Sequence, residues 1–272
     1  MDKQQDTIAF IGGGNMASAL IGGLLKTGRP ATSLLVLDPG EAQRAKLQSD
    51  FGVRTLAAAD ATLAEAALVV WAVKPQLFND AAIPCAAYVA NALQLSVMAG
   101  IRSAAIERAT GSARVVRSMP NTPALIGRGI AGLVATPAVS DAERALVEQV
   151  LAPTGQLMWL PREEDLDAVT ALSGSGPAYV FHVVEAMMVA AEQMGLTAEQ
   201  GKRLALATFD GAAALAAQSD EPPSVLRERV TSKGGTTYAG LESMRADGVA
   251  EAIVRAVRAA QQRAKELGDE FG

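Results

Sequence analysis

Through the first 160 positions, short runs of β-branched and other apolar residues alternate with alanine-rich stretches of helical periodicity, and beyond Pro161 the short runs stop. Alternation of this kind predicts βαβ units around a parallel sheet. Strands are predicted over residues 7–11, 34–37, 68–73, 93–98, 114–117, 130–134 and 156–160. Helices are predicted over 15–26, ending near Gly28 and Pro30, and over 41–51, ending at Gly52, because glycine and proline stop helices. The rest of the chain predicts helices alone, over 166–172, 177–194, 198–218, 223–230, 237–247 and 250–267, with Gly195, Gly248 and Gly268 as stops. Between the halves, Arg162-Glu163-Glu164-Asp165 reads as a charged, solvated join or first helical turn. The chain is therefore expected to divide into a doubly wound α/β domain over 1–161 and an all-α domain over 162–272.

Two of the predicted helices differ in how much apolar surface they carry. The last places Ile253, Val254, Val257, Ala260, Ala264 and Leu267 at helical spacing, with Arg255, Arg258, Gln262 and Lys265 mostly on the other side, so one face packs. The helix over 177–194 is apolar nearly all round and needs neighbours on several sides, a second subunit among them. A homodimer through the helical half is the expectation. His182, between Phe181 and Val183, reads as a core or interface histidine rather than a general acid, and Met187, Met188 and Met194 read as core filling.

Composition narrows the partners. The 272 residues carry a formal charge of -5 and only 4% aromatic residues, so neither phosphate neutralisation nor base stacking is supported and nucleic acid is excluded as a partner. The longest apolar stretch, 178–194, is interrupted by His182, Glu185, Glu192 and Gln193, which are costly in lipid, so no membrane association is expected. A single cysteine, Cys85, rules out an internal disulfide and reads as a small buried hydrophobe; with the polar start Met1-Asp2-Lys3-Gln4-Gln5-Asp6, a cytoplasmic location is expected. The run Glu163-Glu164-Asp165 is a solvated helix start and not a metal cluster, and no metal site is expected.

The chemistry concentrates at two glycine-rich loops. The strand over 7–11 runs into Gly12-Gly13-Gly14-Asn15-Met16-Ala17, a G-x-G-x-x-A turn. Gly12 permits the tight turn, Gly14 lets a pyrophosphate approach the backbone, and Ala17 allows close helix packing. This is the fingerprint of a Rossmann-type dinucleotide site. Asp38, about 20 residues further on, can accept the ribose hydroxyls of NADH and repel a 2′-phosphate; it can equally serve the turn Asp38-Pro39-Gly40, and Arg44 could meet a 2′-phosphate, so NADPH stays open. Lys74, in Ala72-Val73-Lys74-Pro75, sits at the carboxyl edge of the third predicted strand, where ligands of such sheets bind. Far along the chain, Val230-Thr231-Ser232-Lys233-Gly234-Gly235-Thr236-Thr237 places paired glycines and four hydroxyls at a helix start, which favours a small anion such as a carboxylate.

Together, Ile11 to Met16, Ala72-Val73-Lys74-Pro75-Gln76, Met119-Pro120-Asn121-Thr122-Pro123, Leu172-Ser173-Gly174-Ser175-Gly176-Pro177-Ala178-Tyr179 and 230–237 resemble the pyrroline-5-carboxylate reductases over essentially the whole chain. The resemblance implies an NADPH- or NADH-binding N-terminal domain, a helical dimerisation domain, and dimers that assemble into decamers. It puts cofactor contacts on Ile11, Gly12, Gly13, Gly14, Asn15, Met16, Ala72, Val73, Lys74, Pro75, Val97, Met98 and Ala99. It puts substrate contacts on Ser232, Gly235, Thr236 and Thr237. The implied reaction is hydride transfer to the imine carbon of 1-pyrroline-5-carboxylate. A threonine hydroxyl is too weak an acid to act alone near neutral pH, so Thr237 is then the donor to the amine being formed, with water completing proton delivery. Asp220 would orient that water, and the N–H groups of Gly235 and Thr236 would hold the carboxylate with Ser232. Relatives carry proline, serine and asparagine where this chain has Lys233, Asp38 and Ala59. Two alternatives are a β-hydroxyacid dehydrogenase-like oxidoreductase, against which the helix over 177–194 lacks a lysine, and a non-catalytic nucleotide-binding assembly protein, against which the second anion loop speaks.

Overall fold

In the computed structural model, residues 6–271 are described, and they fall into two compact units: one made of the chain up to Ser175 together with Ala260 onward, the other spanning Gly176–Ala259. The first unit begins with β1 (Thr7–Ile11) and α1 (Asn15–Lys26), followed by β2 (Leu34–Leu37), α2 (Glu41–Phe51) and β3 (Arg54–Leu56). It continues through β4 (Ala66–Trp71), α3 (Phe78–Val89), β5 (Leu93–Ser96), α4 (Ser103–Thr110), β6 (Val115–Met119), β7 (Gly129–Ala135), α5 (Asp141–Leu151), β8 (Gly155–Trp159) and α6 (Asp165–Val169). A π turn over Thr170–Gly174 ends this run.

The eight strands form one sheet in the order β3-β2-β1-β4-β5-β6-β7-β8. Its first six positions are the dinucleotide-binding order, in which the direction of winding reverses between β1 and β4 and leaves a crevice beyond their carboxyl ends. Side chains of alternate residues go to opposite faces. Phe10, Val36 and Val70 join α1 and α5 residues such as Leu20, Leu24 and Val147 in one core, whereas Ile11, Leu35 and Trp71 join Phe78, Cys85 and Ile106 of α3 and α4 in the other. The sheet is sealed on both faces, as near-continuous apolar strands require.

Two features of the sheet depart from the sequence expectation. β3 was not predicted: its three residues, Arg-Thr-Leu, are half-buried and lie at the sheet edge, too short and too polar to show a period. β7 runs antiparallel to β6, because only the short 3₁₀ turn Thr122–Ile126 joins them, and a parallel return needs a crossover of a dozen residues or more.

The second unit contains α7 (Gly176–Gln193), α8 (Ala198–Ala217), α9 (Pro223–Arg229), α10 (Thr236–Ala246) and the start of α11 (Val249–Phe271). α7 and α8 make a hairpin. Thr197 and Gln200 form a reciprocal capping box at the start of α8, and Gly201 lets the helices close, since a Cβ there would lie 2.8 Å from that of Ala191. Little else is buried. In α7 only Val184 and Ala191 are buried, while Phe181 is 59% exposed and Met194, just after the helix, 73%. His182 and Met187 are exposed too, so neither fills a core within one chain. Ile253 and Val254 of α11 are likewise exposed.

Gly268, expected to stop the last helix, lies inside α11. A Cβ on it would come within 2.4 Å of the Arg102 guanidinium, so this glycine makes room for an arginine instead of ending a helix. Among the described residues no helix is long and apolar enough to cross a membrane.

Candidate active site

The carboxyl ends of five adjacent strands, β3, β2, β1, β4 and β5, are joined by four consecutive backbone bonds. Asp38 N–H donates to Leu56 O (3.0 Å), Gly12 N–H to Leu37 O (2.8 Å), Ala72 N–H to Ile11 O (2.9 Å) and Val97 N–H to Trp71 O (3.1 Å). These bonds bring three of the predicted cofactor segments, separated by dozens of residues in sequence, to one edge of the sheet. A cavity of about 610 Å³ opens there, lined by Ile11, Gly12, Gly13, Gly14, Asp38, Ala72, Val73 and Lys74 among the expected residues. Leu37, Pro39, Ala57, Ala58, Leu77, Asp80, Ala81 and Pro84 also line it and fall outside the motifs; all but Asp80 are small or apolar, and Asp80 reads in the sequence as an ordinary first-turn acid of α3. Asn15, Met16, Pro75, Val97, Met98 and Ala99 do not line this cavity. Asn15 and Met16 occupy the first turn of α1, Pro75 follows Lys74, and Met98 is buried with its N–H on Ser96 Oγ.

The glycines of the loop differ in what they do. Gly12 has a positive φ of 94° and lies against Ala72 and Val73, where a Cβ would meet the Ala72 carbonyl at 2.8 Å. Gly14 is the N-cap of α1 without a side-chain cap, and a Cβ on it would meet nothing within 4 Å. The first intrahelical bond is Ser18 N–H to Gly14 O (2.9 Å), which leaves the N–H groups of Asn15, Met16 and Ala17 without intrahelical acceptors. Open space beside unpaired helix-start donors is what a pyrophosphate requires, so the residues present fit a dinucleotide. Asp38 serves the loop directly: its Oδ2 accepts from Gly13 N–H and its Oδ1 from Gly40 N–H, both at 2.8 Å. Arg44 Nη1 donates to the carbonyls of Asp38 and Pro39, each at 2.8 Å.

An ion network on the same unit escaped the sequence reading. Arg117, only 4% exposed in the middle of β6, donates through Nη1 to Glu163 Oε1 at 2.7 Å. The same oxygen accepts from Ser103 N–H (2.6 Å) and Ser103 Oγ (3.0 Å) at the start of α4, and Arg102 forks onto Asp167 at 2.9 and 3.3 Å. Glu163 is therefore no solvated helix start. Burial pushes its carboxyl up, but the Ser103 N–H, the Arg117 guanidinium and the Ser103 hydroxyl outweigh this and hold it below its ordinary value of 4.5. The network fastens α4, and hence the 97–101 segment before it, to the chain leaving β8. Its one sequence signal was an arginine inside an apolar strand, a residue that is rarely buried without a partner. Cys85 is buried in α3, where burial pushes its thiol up to about 11, and it stays an inert hydrophobe at neutral pH.

In the second unit, Ser232 O accepts from Gly235 N–H at 3.0 Å. Gly234 has φ 75° and, among the described residues, none other than glycine has a positive φ, so residues 232–235 form a turn of type II with Lys233 in its second position. Gly235 is the N-cap of α10, again without a side-chain cap, and a Cβ on it would sit 2.5 Å from Ser232 Oγ. The Gly235 N–H, expected to face a carboxylate, is instead occupied in closing the turn. Ala239 N–H to Gly235 O is the first helical bond, which makes Thr236, Thr237 and Tyr238 the donors of the first turn. Thr236, Thr237, Ser232 and Asp220 are all exposed in the single chain. Among the described residues no group of three or more His, Cys, Asp or Glu could hold a metal ion.

Comparison with known proteins gives these two ends a family. Residues 163–267 match the family described as pyrroline-5-carboxylate reductase dimerisation, and residues 7–100 match the NADP oxidoreductase coenzyme F420-dependent family. The pyrroline-5-carboxylate reductase of Pseudomonas aeruginosa is 44% identical over 267 residues, covering 97% of this chain and 98% of that protein. Among solved structures, a pyrroline-5-carboxylate reductase from Coxiella burnetii superposes with a TM-score of 0.88 at 35% identity, covering 96% of this chain and 98% of that one. The pyrroline carboxylate reductase of Plasmodium falciparum with NADP bound gives 0.87 at 27% identity, covering 97% and 99%. With a Rossmann-type sheet that ends in a dinucleotide-sized cavity and a helical unit matched as a dimerisation region, this chain belongs to the pyrroline-5-carboxylate reductase family.

Proposed function

We propose that this chain reduces 1-pyrroline-5-carboxylate to L-proline with NAD(P)H, through the residues at its two loops. The observation that carries this reading is the match to pyrroline-5-carboxylate reductase over 97% of the chain, which spans both the open glycine loop and the hydroxyl-rich start of α10. Bound NAD(P)H supplies a hydride at nicotinamide C4. Gly12, Gly13, Gly14 and the first turn of α1 hold its pyrophosphate, and Ala72, Val73, Lys74, Pro75, Val97, Met98 and Ala99 complete the cofactor site. Ser232 and the N–H groups of Thr236 and Thr237 hold the substrate carboxylate. The Thr237 hydroxyl donates to the ring nitrogen as it becomes an amine, and Asp220 orients the water that delivers the proton. Holding the ring in one orientation supplies much of the rate, because it removes the entropy cost of a bimolecular encounter.

The domain roles follow the same reading: residues 1–161 bind the nucleotide, and 162–272 bind substrate and form the dimer. Assembly of dimers into decamers and a cytoplasmic location complete the proposal; the family likeness supports both, and the exposed apolar residues of α7 support assembly. Purified protein given 1-pyrroline-5-carboxylate should oxidise NADH or NADPH, followed by loss of nicotinamide absorbance. Absence of oxidation with both cofactors would remove the reading.

A further inference from the structure

We propose that Asp38 makes this enzyme selective for NADH, by holding a fixed carboxylate where a 2′-phosphate would have to sit. The inference rests on the assignment of the 610 Å³ cavity to the dinucleotide. Asp38 directly follows β2 and lines that cavity, and an acid at this point of a dinucleotide fold accepts the adenosine ribose hydroxyls. Its rotamer is not free to change. Each carboxylate oxygen receives a backbone N–H at 2.8 Å, from Gly13 on one side and Gly40 on the other, so turning away from a phosphate would strand two donors and unlatch the glycine loop. Each oxygen keeps lone-pair capacity for a ribose hydroxyl, since an ionised carboxylate accepts about four hydrogen bonds in all.

The rest of the wall gives a phosphate dianion little to bind. Ala57, Ala58 and Ala59 offer no side-chain donor, and the ionisable lining groups are Asp38, Asp80 and Lys74. Arg44, the cation nearest in sequence, has its Nη1 on the carbonyls of Asp38 and Pro39. A phosphate is recognised by several charge-assisted donors. Here it meets a carboxylate instead, and like charge costs affinity.

The test compares catalytic efficiency with NADH and NADPH, and separately measures binding of ADP-ribose and 2′-phospho-ADP-ribose by calorimetry, which needs no turnover. NADH and ADP-ribose should each be favoured at least tenfold. Asp38→Asn, which keeps the size and one acceptor but loses the charge, should lower both ratios at least fivefold by improving the 2′-phosphorylated ligand. Equal or reversed preference in the wild type overturns the proposal, and so does an unchanged ratio in an Asp38→Asn protein that still binds ADP-ribose. Loss of an NADPH preference on Arg44→Ala would show that Arg44 is the reader instead. Should Asp38→Asn fail to fold, the wild-type ratios decide alone. Proline formation with NADPH preferred sinks this inference only, whereas no binding of either probe sinks it together with the cavity assignment.

Discussion

Thr237 and Lys233 show how far single residues can be read. Thr237 sits in the first turn of α10, two positions after the N-cap Gly235, where its hydroxyl and its N–H are both available. If that hydroxyl is the donor to the ring nitrogen, Thr237→Ala should lower kcat about 100-fold, the loss expected for one acid–base contact, while the KM for NADH stays within about twofold. Steady-state kinetics on the variant checks this, and unchanged kcat would remove Thr237 from the mechanism. Lys233 occupies the second position of a type II turn, where proline's fixed φ is favoured. Lys233→Pro should therefore stabilise the protein by about 0.4–1 kcal/mol through the unfolded chain, visible as a higher Tm; a lower Tm would mean that the Lys233 side chain or N–H is needed. The glycine loop was legible at this scale because each of its residues has its own steric reason. The Arg117–Glu163 pair was not, since its partners lie 46 residues apart and only folding brings them together.

Elements were legible where the period was clean and bounded by strong stops. α1 and α2 span the residues expected, as do β1 and β2. The misses have local causes: β3 is three residues of mixed polarity, β7 turns back because its connection is short, and Gly268 serves packing against Arg102. In the join after β8 the charge of Arg162 and Glu164 is solvated, whereas that of Glu163 is drawn into the ion network. Since the Glu163 carboxyl is held below its ordinary value, its contribution to stability is complete above that value and is lost as pH falls through the depressed one. Unfolding free energy should therefore decline below about pH 4.5, and Glu163→Gln should flatten that part of the profile. At neutral pH the same change should cost about 3 kcal/mol, because it leaves the buried Arg117 guanidinium without a counter-charge. Denaturant melts across pH measure both, and parallel profiles for the two proteins would contradict the network's role.

For the whole molecule the clearest hint lies in α7, apolar nearly all round yet bearing only two buried residues in one chain. Phe181, Val183 and Val189 of α7 leave apolar surface in water, and the family match over 163–267 is to a dimerisation region. Light scattering should give at least twice the 28.1 kDa of one chain, and Phe181→Asp should shift the protein toward smaller species or aggregates; a monomer in the wild type would contradict a subunit interface through α7. Assembly matters here because the loop that is to hold the substrate is exposed in the isolated chain. What the molecule as a whole must do is move one hydride onto one ring carbon. The most direct measurement supplies cofactor deuterated at nicotinamide C4, on the transferred face, with unlabelled 1-pyrroline-5-carboxylate, and analyses the product by mass spectrometry and NMR. Proline carrying one deuterium on the ring carbon that was double-bonded to nitrogen is the result expected, whereas no proline, or proline without that label, would contradict the account.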